Sequence, residues 1–248
     1  MSSRWLIVGF ITVMLFIAGS KYSYGSIIFE QDFEDYSSPS KDSPSEFEWK
    51  GAVSALSIVN SPAYGNYSLQ YTDSSSGGYS PYHTFPAQTG LLKVSMDLRK
   101  DWGNGNYMIY ITQGASYNGA NIYMGARNTS SDPTTKNSVF SYFDGALHEF
   151  GTFSYDTWYH IDLLIDIPSN TYDIYVGNVL KVDNANFRGK GSVASLNQIK
   201  FGYTSWGTLS GYIDNIEISV IPEPTTFLLL LSGLLGFFAT GPKIHRNS

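Results

Sequence analysis

The stretch TWYHIDLLIDIPSNTYDIYVG (157–177) decides how this chain is read. Tyr159, Ile161, Leu163, Ile165 and Ile167 recur at every second position. That period puts them on one face of an extended strand, with His160 and Asp162 among the residues on the other. Pro168-Ser169-Asn170 then breaks the run, and Tyr172, Ile174 and Val176 resume it. Two alternating segments around a Pro/Asn turn predict a β-hairpin. The same pattern extends outward. In LLKVSMDLRK (91–100), Leu92, Val94, Met96 and Leu98 oppose Lys93, Ser95, Asp97 and Arg99. NYMIYIT (106–112), ANIYMGA (120–126), SVFSYF (138–143), QIKFGY (198–203) and GYIDNIEIS (211–219) read as further short strands. No helical period persists between the two ends of the chain. Ten or more strands joined by Gly- and Asn-rich turns predict an all-β, two-sheet antiparallel sandwich.

Both ends have a different character. Arg4 precedes WLIVGFITVMLFIAG (5–19), an uncharged run of 15 residues, and small residues follow at Ala18, Gly19, Ser20, Ser23 and Gly25. A basic start, a short apolar helix and a small-residue exit predict a signal peptide over 1–25, the alternative being an uncleaved anchor. At the other end, VIPEPTTFLLLLSGLLGFFATGPKIHRNS (220–248) places Pro222-Glu223-Pro224 before an apolar run. Thr225 to Gly241 is 17 residues, about 25 Å of helix, which is the short limit for a bilayer core of about 30 Å. Lys243 and Arg246 follow, a bias that keeps the last residues cytoplasmic and the body outside. Two prolines around one acid hold an exposed, extended backbone that a processing enzyme can grip.

Between these ends, Ile27 to Ile221 has the size of one domain, so the expected organisation is 1–25 signal peptide, 27–221 β-sandwich and 222–248 tail. Cysteine is absent, and the domain must rely on its core. The body holds 11 Lys or Arg against 20 Asp or Glu, a net of −9. That balance argues against capture of nucleic acid through bulk charge.

Two resemblances follow from residues already quoted. IPEPTTFLLLLSGLLGFFA (221–239) resembles the PEP-CTERM sorting tail of Gram-negative bacteria. This implies an exosortase partner, transient membrane anchoring through the C-terminal helix, a surface or matrix location, and a link to exopolysaccharide. The match departs in its basic end, where Lys243, His245 and Arg246 replace a dense arginine cluster. Residues 156–187 with 196–219 are similar to the C-terminal half of concanavalin A-like (laminin G-like) jelly rolls; a galactose-binding-like jelly roll is the alternative topology. The spacing of Asp214 places it on a face with Tyr212, Ile216 and Ile218, and a carboxylate on an apolar face demands a partner or a cation. One structural Ca²⁺ is the functional reading there, and an Asp held by backbone N–H groups or by a Lys or Arg is the alternative. By resemblance to related jelly rolls, Asp32 of the first strand and the carbonyl of Gly65 complete the ligand set, with Asp35 replacing Asp32 if the register differs.

Catalytic motifs are missing. No strand carries the E-x-D-x-E pattern of retaining glycosidases that the fold suggests, and Glu46 and Glu48 lack a third acid. There is no Gly-x-Ser-x-Gly elbow, and His83, His148 and His160 have no zinc spacing. Aromatic residues are the better lead, because flat rings stack on the C–H faces of sugars. Trp102 and Trp206, in Gly-rich loops, and Tyr110, Tyr123 and Tyr142 are the candidate platforms, while Trp158 and most tyrosines are assigned to packing. The expectation is a non-catalytic polysaccharide-binding protein. A polysaccharide-degrading enzyme and a structural adhesion protein are the alternatives.

Overall fold

The computed structural model describes residues 25–35, 49–73, 80–103, 106–126, 138–204 and 209–222. The leader segment, the tail from Glu223 onward, and Trp206 lie outside them. Among the described residues no helix is long and apolar enough to cross a membrane. Ile27–Val220 forms one compact unit.

Fourteen strands follow in order: β1 (Ile27–Gln31), β2 (Leu56–Val59), β3 (Ser68–Asp73), β4 (Tyr82–Gln88), β5 (Leu91–Lys100), β6 (Asn106–Thr112), β7 (Gly119–Ala126), β8 (Ser138–Phe143), β9 (Leu147–Thr152), β10 (Trp158–Asp166), β11 (Thr171–Val176), β12 (Val179–Asn186), β13 (Leu196–Thr204) and β14 (Leu209–Ile221). They form two antiparallel sheets, a jelly-roll sandwich. One runs β12-β11-β10-β5-β14-β3-β2, with β1 also on β14. The other runs β4-β13-β6-β7-β8-β9.

The alternation read from 157–177 is the register of the first sheet. β10 and β11 pair from Asp166↔Thr171 to Ile161↔Val176, and the turn closes with the Asn170 N–H donating to the Ile167 carbonyl. Asn170 takes the left-handed conformation at φ 54°, which Asn tolerates better than most residues. Its buried side chain ties the turn to the Ile167 and Val193 carbonyls. Ile161, Leu163 and Ile165 face inward beside Leu92, Val94, Met96 and Leu98 of β5, all buried. Each such side chain stabilises the fold by about 1.5–3 kcal/mol relative to exposure. The second sheet answers with Ile109, Ile111, Ile122, Met124, Phe140, Ile199 and Phe201. Trp49, Tyr71 and Tyr107 stack around Phe201, with ring centroids 5.0, 5.7 and 6.2 Å from it.

β14 departs from simple alternation. Its first half pairs with β3, ending at Ile213↔Leu69, and its second half with β1, from Ile216↔Gln31. Asn215, between the halves, has φ 47°. The extra residue is a bulge that reverses the facing of the strand. Ile213, Ile216 and Ile218 all enter the core cluster as a result. Asp214 therefore does not share the face of Ile216 and Ile218, contrary to the spacing argument. It sits opposite the core at the point where β14 changes partner.

Candidate functional site

The outer face of the eight-stranded sheet collects a polar and aromatic field over its centre. β5 and β10 pair as Arg99↔Trp158, Asp97↔His160 and Ser95↔Asp162, which places these side chains side by side. His160 Nδ1 lies 2.9 Å from Asp97 Oδ1, and its Nε2 lies 3.5 Å from Asp162 Oδ1. The other Asp97 oxygen accepts from Asn215 Nδ2 at 2.7 Å. Lys93 pairs with Asp162 at 3.0 Å, and the Ser95 hydroxyl donates to the same carboxylate.

Beside this row runs a line of rings. Trp158, half-buried, meets Tyr212 edge-on at 6.4 Å on one side and exposed Tyr64 at 5.9 Å on the other. Tyr212 is fixed in turn: its hydroxyl donates to Asp101 at 2.7 Å and accepts from Gln70 at 3.0 Å. Arg99 stands 5.8 Å from its ring centroid and pairs with Asp101 and Asp156. Trp102 follows this anchor directly in the chain and is 67% exposed. Burial, with help from Asp101, pushes the Tyr212 hydroxyl up to about 12, so it stays a neutral donor.

Asp214 lies under the β2–β3 connection. It is 1% exposed, and its carboxylate accepts from the Tyr64 N–H at 3.3 Å and the Asn215 N–H at 2.8 Å. Burial pushes its carboxyl up to about 7; these two bonds oppose the shift, and the charges of Glu34 and Asp97 add to it. Glu34 grips the same connection, accepting from Asn66 N (2.7 Å), Asn66 Nδ2 (2.7 Å) and Tyr67 N (3.3 Å). Burial raises the Glu34 carboxyl, but these bonds outweigh it and hold the group below its ordinary range. A side chain at Gly65 would displace the Glu34 carboxylate from this position.

The expected metal ligands are thus redistributed. Asp214 and Gly65 come together, but their companion is Glu34. Asp32 is exposed and instead caps its own turn, accepting from the Glu34 N–H at 3.2 Å. Among the described residues no group of three or more His, Cys, Asp or Glu side chains can hold a metal. Asp214 and Glu34 are the carboxylates at this connection, and their oxygens, of the type calcium takes as ligands, already accept N–H bonds.

The aromatic candidates also divide. Trp102 is open to solvent. Trp206 lies outside the described residues. Tyr110 and Tyr123 are 3% and 5% exposed and joined hydroxyl to hydroxyl at 3.1 Å. They sit on the outer face of the six-stranded sheet but under Tyr117, which meets Tyr110 edge-on at 5.1 Å, so they offer no open face for stacking. Tyr142 is spent on packing: it stacks on His148 at 4.8 Å and abuts Tyr172 at 6.2 Å. Trp158, assigned to packing from its sequence, is instead the middle ring of the outer-face line. The signal was legible, since Trp158 shares parity with His160 and Asp162 rather than with Ile161. Tyr64 had no such signal, because loop residues carry no period.

No protein-family model matches the chain, and no curated protein is similar to it. Solved structures are. A sialidase aligns over 80% of this chain with TM-score 0.58 and 15% identity, and the chain spans 19% of that protein. The catalytic domain of a glycoside hydrolase family 131 protein from Coprinopsis cinerea aligns over 80% of this chain and 96% of its own length, with TM-score 0.51 and 16% identity. The binding domain of botulinum neurotoxin DC, in complex with rat synaptotagmin II, covers 84% of this chain and 52% of its own, with TM-score 0.49 and 13% identity. The first two likenesses establish the fold.

Proposed function

We propose that this chain is an exported protein whose jelly roll binds extracellular polysaccharide without cleaving it. The observation that carries this reading is the Tyr64–Trp158–Tyr212 line beside Asp97, His160 and Asn215. Exposed Tyr64 and half-buried Trp158 offer ring faces to sugar C–H groups, with buried Tyr212 packed behind them, and the His160 imidazole and Asn215 amide, oriented by buried Asp97, are placed to meet hydroxyls. These polar groups are pre-positioned by one another, so little ordering cost remains on binding. Trp102 extends the platform beyond Arg99. The leader at 1–25 and the tail at 222–248 support export, transient anchoring by the apolar run, and exosortase handling at Pro222-Glu223-Pro224. One structural Ca²⁺ between Asp214, Glu34 and the Gly65 segment fits the same reading by fixing the connection that presents Tyr64.

The test is affinity electrophoresis of the purified body in gels cast with neutral polysaccharides. Trp158→Ala is expected to weaken retardation at least about tenfold, near 1.4 kcal/mol, because ring anchors dominate such interfaces. Tyr64→Ala and Trp102→Ala weaken it less. The effect should persist at high salt, since stacking is not screened. A Trp158→Ala variant that melts like the parent and is retarded equally overturns the platform.

A second reading, polysaccharide cleavage, draws on one observation. Asp214, raised to about 7, near Glu34, held low, is the divergence expected of an acid–base pair. Against it, the Asp214 side chain is closed off by the Tyr64 backbone. Reducing-end release from polysaccharide, abolished by Asp214→Asn, would favour this reading over binding alone.

A further inference from the structure

On the outer face of the eight-stranded sheet, Lys93 pairs with Asp162, and Arg99 with Asp101 and Asp156. Two cations on the other sheet share an aromatic ring instead. Lys200 of β13, 5% exposed, lies opposite Tyr110 in the register of the six-stranded sheet. Its ammonium donates to the Ser116 carbonyl at 2.9 Å and stands 5.2 Å from the Tyr117 ring centroid. Arg188 reaches the same ring from the β12–β13 connection. Its guanidinium carbon lies 5.7 Å from the Tyr117 centroid and 5.2 Å from that of Phe143. Reciprocal backbone hydrogen bonds of 3.0 Å between Arg188 and Gly119 pin that connection to the start of β7. Neither cation forms an ion pair among the described residues.

We propose that this face carries a second binding site, for the carboxylates of an acidic, uronate-bearing polysaccharide, built on Arg188, Lys200 and Tyr117. The physical argument starts from the guanidinium. Cation–π contacts with Tyr117 and Phe143 engage the guanidinium through its π face, the mode that leaves in-plane N–H donors available for bonding. Beyond the Tyr123 hydroxyl, which it also reaches, those donors meet no side-chain acceptor among the described residues. A planar carboxylate matches such a fork in a bidentate manner. Lys200 adds a second positive charge on the same ring. Burying an ammonium without a counter-charge is costly, and burial alone lowers its proton affinity here. A carboxylate held by Arg188 offsets part of that cost through space, since Lys200 itself is buried. Tyr117, half-buried, holds the two cations beside one another. The chain as a whole is acidic at −6, so an anionic polymer held here is selected locally, against the overall field.

This site does not rest on the Trp158 platform, and the experiment separates the two. The body is run in gels cast with polygalacturonate, or with its fully methyl-esterified form, which keeps the rings and loses the charge. Polygalacturonate is expected to retard the parent at low salt, the ester much less, and added salt to release it. Arg188→Gln should lose at least about tenfold in retardation by polygalacturonate, as removal of a charge-assisted bidentate pair requires. Arg188→Lys should recover only part of it, and Trp158→Ala should be retarded like the parent. Lys200→Gln supplies the same readout should Arg188→Gln melt early. The site is overturned by equal retardation in the two polymers, by no retardation in polygalacturonate, or by a folded Arg188→Gln that behaves like the parent. Loss in Trp158→Ala alone also overturns it, since the acidic polymer would then bind the opposite face.

Discussion

Asp214 concentrates the chemistry of single residues in this fold. A carboxyl whose pKa rises from 3.8 unfolded to about 7 folded binds a proton more tightly in the native state. Its contribution is fully present below about pH 4 and lost as pH rises through about 7. The shift corresponds to about 4 kcal/mol, at about 1.36 kcal/mol per unit. In calcium-free buffer, denaturant midpoints should therefore fall between pH 4 and 8 in the parent and run flatter in Asp214→Asn. Calcium should reverse the loss, by about 2.7 kcal/mol at a hundredfold excess over its dissociation constant. Equal melting in EDTA and millimolar calcium at pH 8 would leave Asp214 as a hydrogen-bonded acid with no metal role. The sequence pointed to Asp214 because a carboxylate amid isoleucines is conspicuous. Asp32 came from the resemblance to related jelly rolls, and strand parity says nothing about which acid of the following turn, Asp32 or Glu34, folds inward.

Among the elements, close approach of backbones is the sharpest constraint. Gly119 opens β7 at φ 142°, and a Cβ there would strike the Ile111 carbonyl across the β6–β7 ladder. Gly119→Ala should cost about 3 kcal/mol, combining backbone strain with displacement of the ladder. Gly145, at φ 129° in the β8–β9 turn, faces open space, and its alanine variant should cost about 1–2 kcal/mol from conformation alone. Urea midpoints of the two variants check the order. An equal loss would mean the β6–β7 ladder yields freely. Hairpins such as β10–β11 were legible because each strand alternates without interruption. The bulge at Asn215 was not, since one left-handed residue leaves no mark in a hydrophobic pattern yet inverts everything after it.

Across the whole molecule, stability comes from a cysteine-free core, so thiol reductants should leave the melting temperature unchanged. The proposed sorting tail makes a separate claim. If an exosortase acts at the exposed Pro-Glu-Pro, the mature surface protein should end near Pro222 to Pro224. Intact mass of the extracellular form decides this; a chain still carrying Leu228 to Phe238 rules out removal. The two sheets would then present two different faces to a matrix, one of uncharged rings with paired acids, the other with unpaired cations over tyrosines.

The amino-acid sequence by itself determined the class of this protein. Period-two alternation in β5, β10 and β11 settles which side chains face the core, because facing depends on strand parity and parity is local. It also led to the expectation of leader and tail, which depend on composition. The tertiary structure alone decided what meets across the sheets and loops. Trp158 lies between Tyr64 and Tyr212, residues 94 positions before and 54 after it in the chain. Glu34, not Asp32, reaches Gly65. Tyr110 and Tyr123, which looked like open platforms, lie beneath Tyr117. These juxtapositions follow from strand order and from loops that fold back over the sheets. Neither leaves a periodic trace along the chain, so they appear only when the sheets are assembled.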